Sequence, residues 1–325
     1  MIEGARIVVT GGTGSFGRAF IERALMDGAR KVISVSSTET KQQQPWVLEL
    51  ARRDKRFLPR IRNVRDYEGL CDAFYKADIV IHAAALKRVD TGETDYREFI
   101  KTNDIGTDNV LRAAMTCGVK RVVYLSSDKA CEPVTAYGIT KAVAEWNAVK
   151  VNEHAVPRGS SVVCTRYGNV AGSQGSVINV WREQAKHGGP LSGTVPYMTR
   201  YWMLMREAVE LVLAALERGH PGEIWIPKLR ACRLDVLAEA IAPGVPVEWS
   251  YRTRGVEKEH EVLIHRYETR RTHDLGDFYV IEAPEEPWTG ERRLRETLAD
   301  LPGPYTSETC YQMGVEEVQE MLTHV

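Results

Sequence analysis

Short apolar runs and longer amphipathic segments alternate along the first half of the chain. The apolar runs are rich in Val and Ile and occupy Arg6–Thr10, 31–35, 77–82, 121–126 and Ser161–Thr165. The segments between them repeat apolar residues at helical spacing, most clearly over 16–28, 98–117 and 137–152. Strands that are apolar throughout and separated by helices predict a parallel sheet with helices on both faces. The predicted fold class is therefore α/β, with a doubly wound parallel sheet.

The pattern loosens after about residue 175. Breaks at 188–190 (GGP) and 221–222 (PG) flank a helical stretch, Met205–Arg218, and charged loops alternate with short apolar runs from residue 244 onward. We therefore predict a doubly wound domain over 1–172 and a smaller α/β substrate domain over 173–325, partly interleaved with the first.

The charge balance narrows the possible functions. The 325 residues include 43 Lys and Arg against 44 Asp and Glu, which gives a formal net charge of −1. This balance argues against a nucleic-acid binder that relies on bulk electrostatics and against a polybasic membrane-surface protein. No apolar run approaches the roughly 20 residues that span a bilayer, and no signal-peptide pattern precedes the first strand. We expect a cytoplasmic protein with neither membrane nor nucleic acid as a partner.

Cysteine and histidine spacing gives no indication of a metal or a disulfide framework. The six cysteines include no CxxC pair, and the eight histidines include no HExxH motif. In a chain of this length, scattered cysteines predict reduced thiols with a structural role. We therefore expect no metal site.

The first predicted strand runs directly into a glycine-rich turn. Gly11, Gly14 and Gly17 form a GxxGxxG frame at the point where the first helix begins. Glycines allow the backbone of such a turn to approach a pyrophosphate, and the helix N-terminus supplies N–H groups and a positive dipole end. At the first strand-to-helix turn of an alternating chain, this motif predicts a Rossmann-type dinucleotide site.

The residues at the end of the second strand bear on which dinucleotide binds. Folds that bind NAD commonly place Asp or Glu there to bind the ribose hydroxyls. This chain has Ser36 and Ser37 instead, and Lys41 follows within reach of a 2′-phosphate. We expect NADP, and NAD remains possible.

A second group of polar residues follows the strand predicted over 121–126. Tyr137 and Lys141 are spaced i, i+4, which places them on one face of a helix. An ammonium beside a phenol lowers the phenol pKa, so Tyr137 is a candidate general base. The hydroxyl of Ser127 is a candidate to orient the substrate hydroxyl that Tyr137 deprotonates.

Together these motifs resemble the extended short-chain dehydrogenases/reductases. The resemblance is closest to the inverting UDP-N-acetylglucosamine 4,6-dehydratases of the bacterial pseudaminic acid pathway. It is carried by 126–133 (SSDKACEP), 137–141 (YGITK), 165–170 (TRYGNV), 198–202 (MTRYW), 81–89 (IHAAALKRV), 222–228 (GEIWIPK) and 257–261 (EKEHE). Its most specific element is the pair Asp128 and Lys129, because other dehydratases of the superfamily carry Asp-Glu there. The match runs from residue 5 to about residue 280.

The resemblance implies a lyase reaction and a role for each catalytic residue. Tyr137, aided by Ser127 and Lys141, would take the proton of the sugar 4-hydroxyl while a retained NADP accepts hydride from C4. Lys129 would remove the C5 proton, provided that burial and nearby Lys141 lower its pKa. Asp128 would protonate the departing 6-hydroxyl. Hydride return to C6, with a proton added to C5 from the opposite face, would give an inverted 4-keto-6-deoxy sugar.

The resemblance also implies the binding residues. Those expected at the cofactor are Gly11, Thr13, Gly14, Ser15, Phe16, Gly17, Ser36, Ser37, Lys41, Asn63, Val64, Ala83, Ala84, Ala85, Lys87, Asn103, Tyr137 and Lys141. Those expected at the UDP-sugar are Lys87, Asn169, Arg200 and Arg254. Arginine suits this role because its planar fork binds phosphate oxygens in pairs. Members of this family are usually homo-oligomers, and we expect the same here.

The chain departs from the family pattern near both ligands. Ser37 stands where the family usually has Arg, Asn63 where it has Asp, and Gln174 where it has Arg. These changes leave open a different sugar, a 5,6-dehydratase that releases the unsaturated sugar, and a nucleotide-sugar epimerase on the same scaffold. A non-catalytic, redox-sensing dinucleotide module is a further hypothesis. The intact Ser, Tyr and Lys set counts against that last hypothesis.

Overall fold

The computed structural model describes residues 1–88, 93–251, 257–284 and 297–325. The strands of this part of the chain are β1 (Arg6–Thr10), β2 (Lys31–Ser36), β3 (Phe57–Ile61), β4 (Ile79–His82), β5 (Arg121–Leu125), β6 (Ser161–Thr165), β7 (Asn169–Val170), β8 (Leu191–Gly193), β9 (Thr199–Met203), β10 (Ile224–Pro227), β11 (Arg230–Arg233), β12 (Val247–Trp249), β13 (Val262–Ile264), β14 (Thr272–Asp274), β15 (Phe278–Ile281) and β16 (Tyr305–Thr306).

Helices cover most connections between these strands. They are Ser15–Met26, Glu39–Gln42, Pro45–Arg53, Tyr67–Phe74, Tyr96–Phe99, Ile105–Thr116, Ala136–Lys150, Asn152–Ala155, Val177–Lys186, Met205–Arg218, Leu234–Ile241 and Val315–Leu322. A π-helical turn, Ile100–Asp104, joins two of them, and single turns of 3-10 helix lie at Asp128–Ala130, Val156–Arg158 and Thr269–Arg271.

A nine-stranded sheet forms the centre of the fold, in the order β3-β2-β1-β4-β5-β6-β10-β15-β14. The strands from β3 to β10 are parallel, while β15 and β14 add an antiparallel edge. The chain moves outward from β1 to β3 and then returns to place β4 on the other side of β1. Open α/β sheets bind ligands at such a reversal, beyond the carboxyl ends of the strands. The predicted α/β class with a doubly wound sheet is confirmed.

Helices on both faces of this sheet explain its apolar strands. Ile7 and Val9 pack with Phe20 on one face, whereas Val8 packs with Val80 and neighbouring helix residues on the other. Alternate residues of β1 therefore enter two different cores, and both cores exclude water. A strand in this position reads as a continuous apolar run, which is why its sequence pattern is so clear.

Residues after 173 contribute both to the large sheet and to smaller ones. Strands β10, β14 and β15 complete the large sheet, and β11 and β9 form a separate three-stranded sheet with β7, which precedes residue 173. Two further pairs form, β12 with β8 and β13 with β16. A third core packs around the buried side chains of Trp181, Trp202 and Leu237. The domain limits at 172 and 173 remain a prediction.

Candidate active site

The glycine-rich turn lies between β1 and the helix Ser15–Met26, at the reversal of the sheet. Gly11 has φ +68°, and a Cβ there would lie 2.8 Å from the backbone N of Ala84. A Cβ on Gly17 would lie 2.5 Å from the carbonyl oxygen of Gly11. Gly14 begins the helix with no side-chain cap, so its first N–H groups are available to a ligand. A dinucleotide pyrophosphate fits this backbone cradle.

The other residues expected at the cofactor surround this turn. Thr13, Ser15 and Phe16 are part of it, and Ala83, Ala84 and Ala85 directly follow the neighbouring strand β4. The hydroxyl of Ser15 accepts the N–H of Gln174 at 3.2 Å, which joins the turn to a loop after β7. The structure therefore brings segments from β1, β4 and the C-terminal half to one edge of the sheet.

The end of β2 is polar and carries no carboxylate. The Nζ of Lys41 donates to the hydroxyl of Ser37 at 3.4 Å, so these two side chains lie together at the end of β2. The amide of Gln42 donates to the hydroxyl of Ser36 at 2.6 Å and buries that side chain. Ser36 therefore supports the loop, while Ser37 and Lys41 remain the candidates for ligand contact.

Two more residues expected at the cofactor hold nearby backbone in place. The side-chain oxygen of Asn63 accepts the N–H of Arg65 at 3.0 Å, and Val64 is buried. Asn103 is also buried, and its amide exchanges two hydrogen bonds with the backbone of Leu86, at 2.8 and 2.9 Å. Asn103 thus fixes the segment that leads to the exposed residue Lys87.

The Asp-Lys pair lies in the single helical turn Asp128–Ala130, after β5. The Ser127 hydroxyl donates to Asp128 Oδ1 at 2.8 Å, and Lys129 Nζ lies 3.0 and 3.2 Å from the two oxygens of that carboxylate. Asp128 is 1% exposed, and burial raises its pKa despite the adjacent ammonium. A carboxyl group in this environment holds its proton more readily than one in water.

The helix Ala136–Lys150 brings Tyr137 to this pair. The Thr135 hydroxyl caps the helix, and a Cβ on Gly138 would lie 2.4 Å from the carbonyl oxygen of Lys129, so the two segments touch. The side chain of Ser127 lies beside the Tyr137 hydroxyl and lowers the pKa of that phenol. Burial raises the pKa of Tyr137, and Lys129 and Ser127 offset this only in part. The expected lowering of the phenol pKa is therefore absent from this arrangement.

Lys141 lies one turn further along the helix, and its ammonium has partners other than the Tyr137 phenol. Its ammonium donates to the carbonyl of Leu125 and lies 4.3 Å from the centre of the Tyr124 ring. Burial lowers the pKa of Lys141 to about 7. The spacing from Tyr137 correctly indicated a shared helix, whereas the partners of the ammonium depend on β5.

A buried arginine anchors the far part of the same helix. Arg166, 3% exposed, donates to Glu145 through Nε at 3.0 Å and to Glu268 through Nη1 at 2.8 Å. Glu145 is on the helix of Tyr137 and Lys141, while Glu268 follows β13. One guanidinium therefore links the helix Ala136–Lys150 to the C-terminal part of the chain.

The condition under which Lys129 would act as a base, a pKa lowered by burial and by Lys141, is not met in this structure. Burial alone would lower that pKa, but the carboxylates of Asp128 and Glu261 outweigh burial and raise it above its ordinary value. The carboxylate of Glu261 lies 3.2 Å from Lys129 Nζ. Lys129 is therefore an ammonium in this arrangement.

Glu261 is a site residue that sequence analysis did not single out. It is 3% exposed, and its carboxylate lies 2.9 Å from Lys258 Nζ and 4.0 Å from Arg200 Nε. Burial would raise its pKa, but Lys129, Lys258 and Arg200 together lower that pKa to about 2. The one sequence signal was the EKEHE segment over 257–261, which by itself resembles an ordinary charged loop.

The structure also brings two expected substrate residues to the catalytic pair. The side-chain oxygen of Asn169 accepts from Lys129 Nζ at 3.5 Å, and buried Arg200 pairs with Glu257 at 2.7 Å. Lys87 follows β4, at the same edge of the sheet. Arg254 lies outside the described residues. Within the described ranges, no group of His, Cys, Asp and Glu is arranged to hold a metal ion, and no helix is long and apolar enough to cross a membrane.

Known proteins resemble this chain over most of its length. Residues 7–283 match the family described as polysaccharide biosynthesis protein. A protein of Rickettsia conorii named UDP-glucose 4-epimerase is 38% identical and covers 97% of this chain and 94% of its own. A protein of Rickettsia bellii with the same name is 38% identical and covers 98% and 95%.

Solved structures share the fold. Pen from Bacillus thuringiensis superposes with a TM-score of 0.89 at 27% identity, covering 100% of this chain and 99% of its own. DesIV of Streptomyces venezuelae, a dTDP-glucose 4,6-dehydratase solved with NAD, superposes with a TM-score of 0.62 at 25% identity, covering 68% and 74%. Together with the glycine turn and the Ser-Tyr-Lys set, these similarities show that the chain belongs to the polysaccharide biosynthesis protein family of extended short-chain dehydrogenases/reductases.

Proposed function

We propose that this protein is an inverting nucleotide-sugar 4,6-dehydratase that acts on UDP-N-acetylglucosamine. The observation that carries the proposal is the ion pair of buried Asp128 and partly buried Lys129, which lies beside Ser127 and Tyr137. A dehydratase must transfer protons at C5 and at the 6-hydroxyl, in addition to the 4-hydroxyl. An epimerase requires proton transfer at the 4-hydroxyl alone, and such a pair has no necessary role there.

In the first part of the proposed reaction, Tyr137 accepts the proton of the sugar 4-hydroxyl. The Lys129 charge and the Ser127 side chain favour the phenolate, while burial opposes it and raises the Tyr137 pKa overall. Gly11, Gly14 and Gly17 would hold the pyrophosphate of a nicotinamide dinucleotide, with Ser37 and Lys41 at its ribose. When bound, that dinucleotide supplies the acceptor and later the donor of hydride. We propose NADP, and NAD remains the alternative.

In the second part, the two remaining protons move at Asp128 and Lys129. The 4-ketone makes the C5 hydrogen acidic, and Lys129 accepts that proton after its own proton has passed to the adjacent Asp128 carboxylate. Asp128 protonates the departing 6-hydroxyl, a role that its raised pKa favours. The association of a lysine at position 129 with inversion at C5 of the sugar rests on the resemblance to the inverting family.

We further propose that Arg200, Asn169, Lys87 and Arg254 bind the nucleotide sugar. Arg200 now pairs with Glu257, so a diphosphate would compete with that carboxylate for the guanidinium. In this proposal residues 1–172 mainly bind the cofactor, residues 173–325 mainly bind the sugar, and the protein is a cytoplasmic homo-oligomer.

A 4-epimerase is the second candidate. It is favoured by the name UDP-glucose 4-epimerase, which relatives 38% identical to this chain carry. A 5,6-dehydratase, which would release the unsaturated sugar, is a third.

Mass spectrometry of the product separates the first two candidates. The purified chain is incubated with NADP and one substrate in each reaction. The substrate is UDP-N-acetylglucosamine in the first reaction and UDP-glucose in the second. We expect UDP-N-acetylglucosamine to lose one molecule of water, and Asp128→Asn to slow that loss about a hundredfold or more. Asp108→Asn, at an exposed helix position, is the matched control and keeps the native rate. Conversion without a change in mass would support the epimerase instead.

A further inference from the structure

A buried carboxylate lies behind the catalytic pair and has no role in the chemistry described above. Glu261 directly precedes β13, and its side chain is enclosed by cations from three segments. These are Lys129 after β5, Arg200 on β9 and Lys258 in the loop before β13. An ionised carboxylate is unfavourable in a protein interior unless it is paired, so the three cations account for its burial.

The backbone of Glu261 is fixed independently of its cations. Its N–H donates to the Ser307 hydroxyl at 2.8 Å, and that hydroxyl lies 2.7 Å from the Thr199 hydroxyl. Ser307 is fully buried, and it precedes the C-terminal helix. The C-terminal segment therefore fixes the backbone of Glu261 through Ser307, and the Glu261 carboxylate in turn fixes the ammonium of Lys129.

Lys129 Nζ is held between two carboxylates that come from different parts of the fold. Asp128 Oδ1 lies 3.0 Å away and Glu261 Oε1 lies 3.2 Å away. Lys258 adds a second tie, because its ammonium donates to the carbonyl of Asp128 at 3.2 Å while it pairs with Glu261. Glu261 and Lys258 thus fix both the side chain of Lys129 and the backbone that carries Asp128.

We propose that Glu261 is the positioning residue of the elimination step, and that it holds the Lys129 amine where a proton can pass to Asp128. Transfer of one proton from Nζ of Lys129 to Oδ1 of Asp128 breaks an N–H bond and forms an O–H bond. The pair then consists of a neutral amine and a neutral carboxylic acid, which are the base and the acid that dehydration requires. No further reactant is needed. This inference rests on the proposed function.

The charged groups around Lys129 determine how removal of Glu261 changes the pKa and the position of the Lys129 side chain. The titratable and charged groups that face it are Asp128, Tyr137, Arg200, Lys258 and Glu261. Without the Glu261 charge, the ammonium keeps one carboxylate partner in place of two. Its pKa then falls, and its side chain is no longer held from the side opposite Asp128.

The test compares Glu261→Gln with Glu257→Gln in the full-length chain. Glu257 belongs to the same charged cluster, but it pairs with Arg200, so its loss leaves the carboxylate contacts of Lys129 intact. Lysine labelled with ¹³C reports the titration of each amine by NMR, and Lys129→Arg identifies the signal of Lys129. We expect Lys129 to titrate at a lower pH in Glu261→Gln than in the native protein, and Glu257→Gln to leave its titration unchanged.

Turnover provides the second readout. We expect kcat of Glu261→Gln to fall about tenfold to a hundredfold, the equivalent of one charge-assisted hydrogen bond, with KM changed less than about twofold. Glu257→Gln should change KM more than kcat. Glu261→Asp keeps the charge but shortens the side chain, and we expect intermediate values of kcat and of the Lys129 titration. If Glu261→Gln does not fold, kcat and the Lys129 titration of Glu261→Asp decide whether the proposal holds.

An unchanged Lys129 titration in Glu261→Gln would overturn the proposal, and so would an equal shift in Glu257→Gln. The titration is measured without substrate, so it does not depend on which reaction the protein catalyses. If product analysis identifies an epimerase while the titration moves as expected, Glu261 still positions Lys129, but the dehydratase assignment fails together with the role of Glu261 in elimination.

Discussion

Replacing Lys141 with Met should stabilise the protein while it removes activity. Lys141 is 4% exposed, and its ammonium has a backbone carbonyl and an aromatic ring as partners instead of a contacting carboxylate. Burial lowers its pKa from 10.5 to about 7, so the folded state binds a proton less readily than the unfolded state. Met has a similar length without the charge, and it fills irregular apolar space well.

The size of the effect follows from proton linkage. At 1.36 kcal/mol for each unit of pKa, a fall from 10.5 to about 7 destabilises the folded protein by roughly 4–5 kcal/mol below pH 7. Loss of the hydrogen bond to Leu125 and of the contact with the Tyr124 ring offsets about 2–3 kcal/mol of this in the variant. We therefore expect Lys141→Met to raise the free energy of unfolding by about 1–3 kcal/mol at pH 6.

The pH dependence gives this prediction a second component. Between about pH 7 and pH 10, the unfolded state binds more protons at Lys141, so native stability rises with pH in that range. Lys141→Met lacks this group, and its advantage should therefore disappear by about pH 9. Activity should fall at least about a hundredfold, because the family resemblance places Lys141 in one catalytic set with Ser127 and Tyr137.

Urea unfolding at pH 6 and pH 9, followed by circular dichroism, measures both components. Lys120→Met, at an exposed position, is the control and should change the free energy of unfolding by less than about 0.5 kcal/mol at either pH. The reasoning is refuted if Lys141→Met destabilises the protein at pH 6, or if its effect is the same at both pH values.

Three further substitutions test other parts of the account. Gly11→Ala should weaken NADP binding, measured by calorimetry, at least about tenfold, because the new Cβ would lie 2.8 Å from the backbone of Ala84. Gly4→Ala is the control, since Gly4 also has a positive φ, +70°, but no atom lies within 4 Å of its Cβ position. Arg166→Met should lower the free energy of unfolding by about 3–5 kcal/mol, since it leaves the Glu145 carboxylate buried without its cation and removes the main partner of Glu268; a loss below about 1 kcal/mol in urea unfolding would contradict this. Ser307→Ala should lower kcat about tenfold in the turnover assay, because Glu261 loses its backbone anchor; an unchanged kcat would contradict the proposed anchoring.

The central strands were predictable because their environment is uniform. β1 and β6 occupy the predicted ranges, since water is excluded from both faces of each strand. β3 was missed because it lies at the edge of the sheet, where its FLPRI sequence is half exposed and an edge strand tolerates proline. The short strands after residue 173 were missed because runs of two to five residues leave little pattern to detect.

The candidate site was predictable where local spacing determines it. Gly11, Gly14 and Gly17 form one turn, and Tyr137 and Lys141 share one helix, as their spacing indicates. The partners of Lys129 were not predictable, because Glu261 is distant along the chain and joins the pair only when β13 packs beside the turn after β5. The pKa of Lys129 depends on that contact, so its direction could not be derived from the sequence.

Proton NMR of the purified chain mixed with UDP-N-acetylglucosamine and NADP in D₂O tests the central claim most directly. The account predicts a new C6 methyl signal, with deuterium at C5 and L-arabino geometry, because the C5 proton is exchanged during elimination and inversion. A C4 epimer that keeps its C6 hydroxymethyl group would contradict the account, and so would a vinyl signal with no methyl.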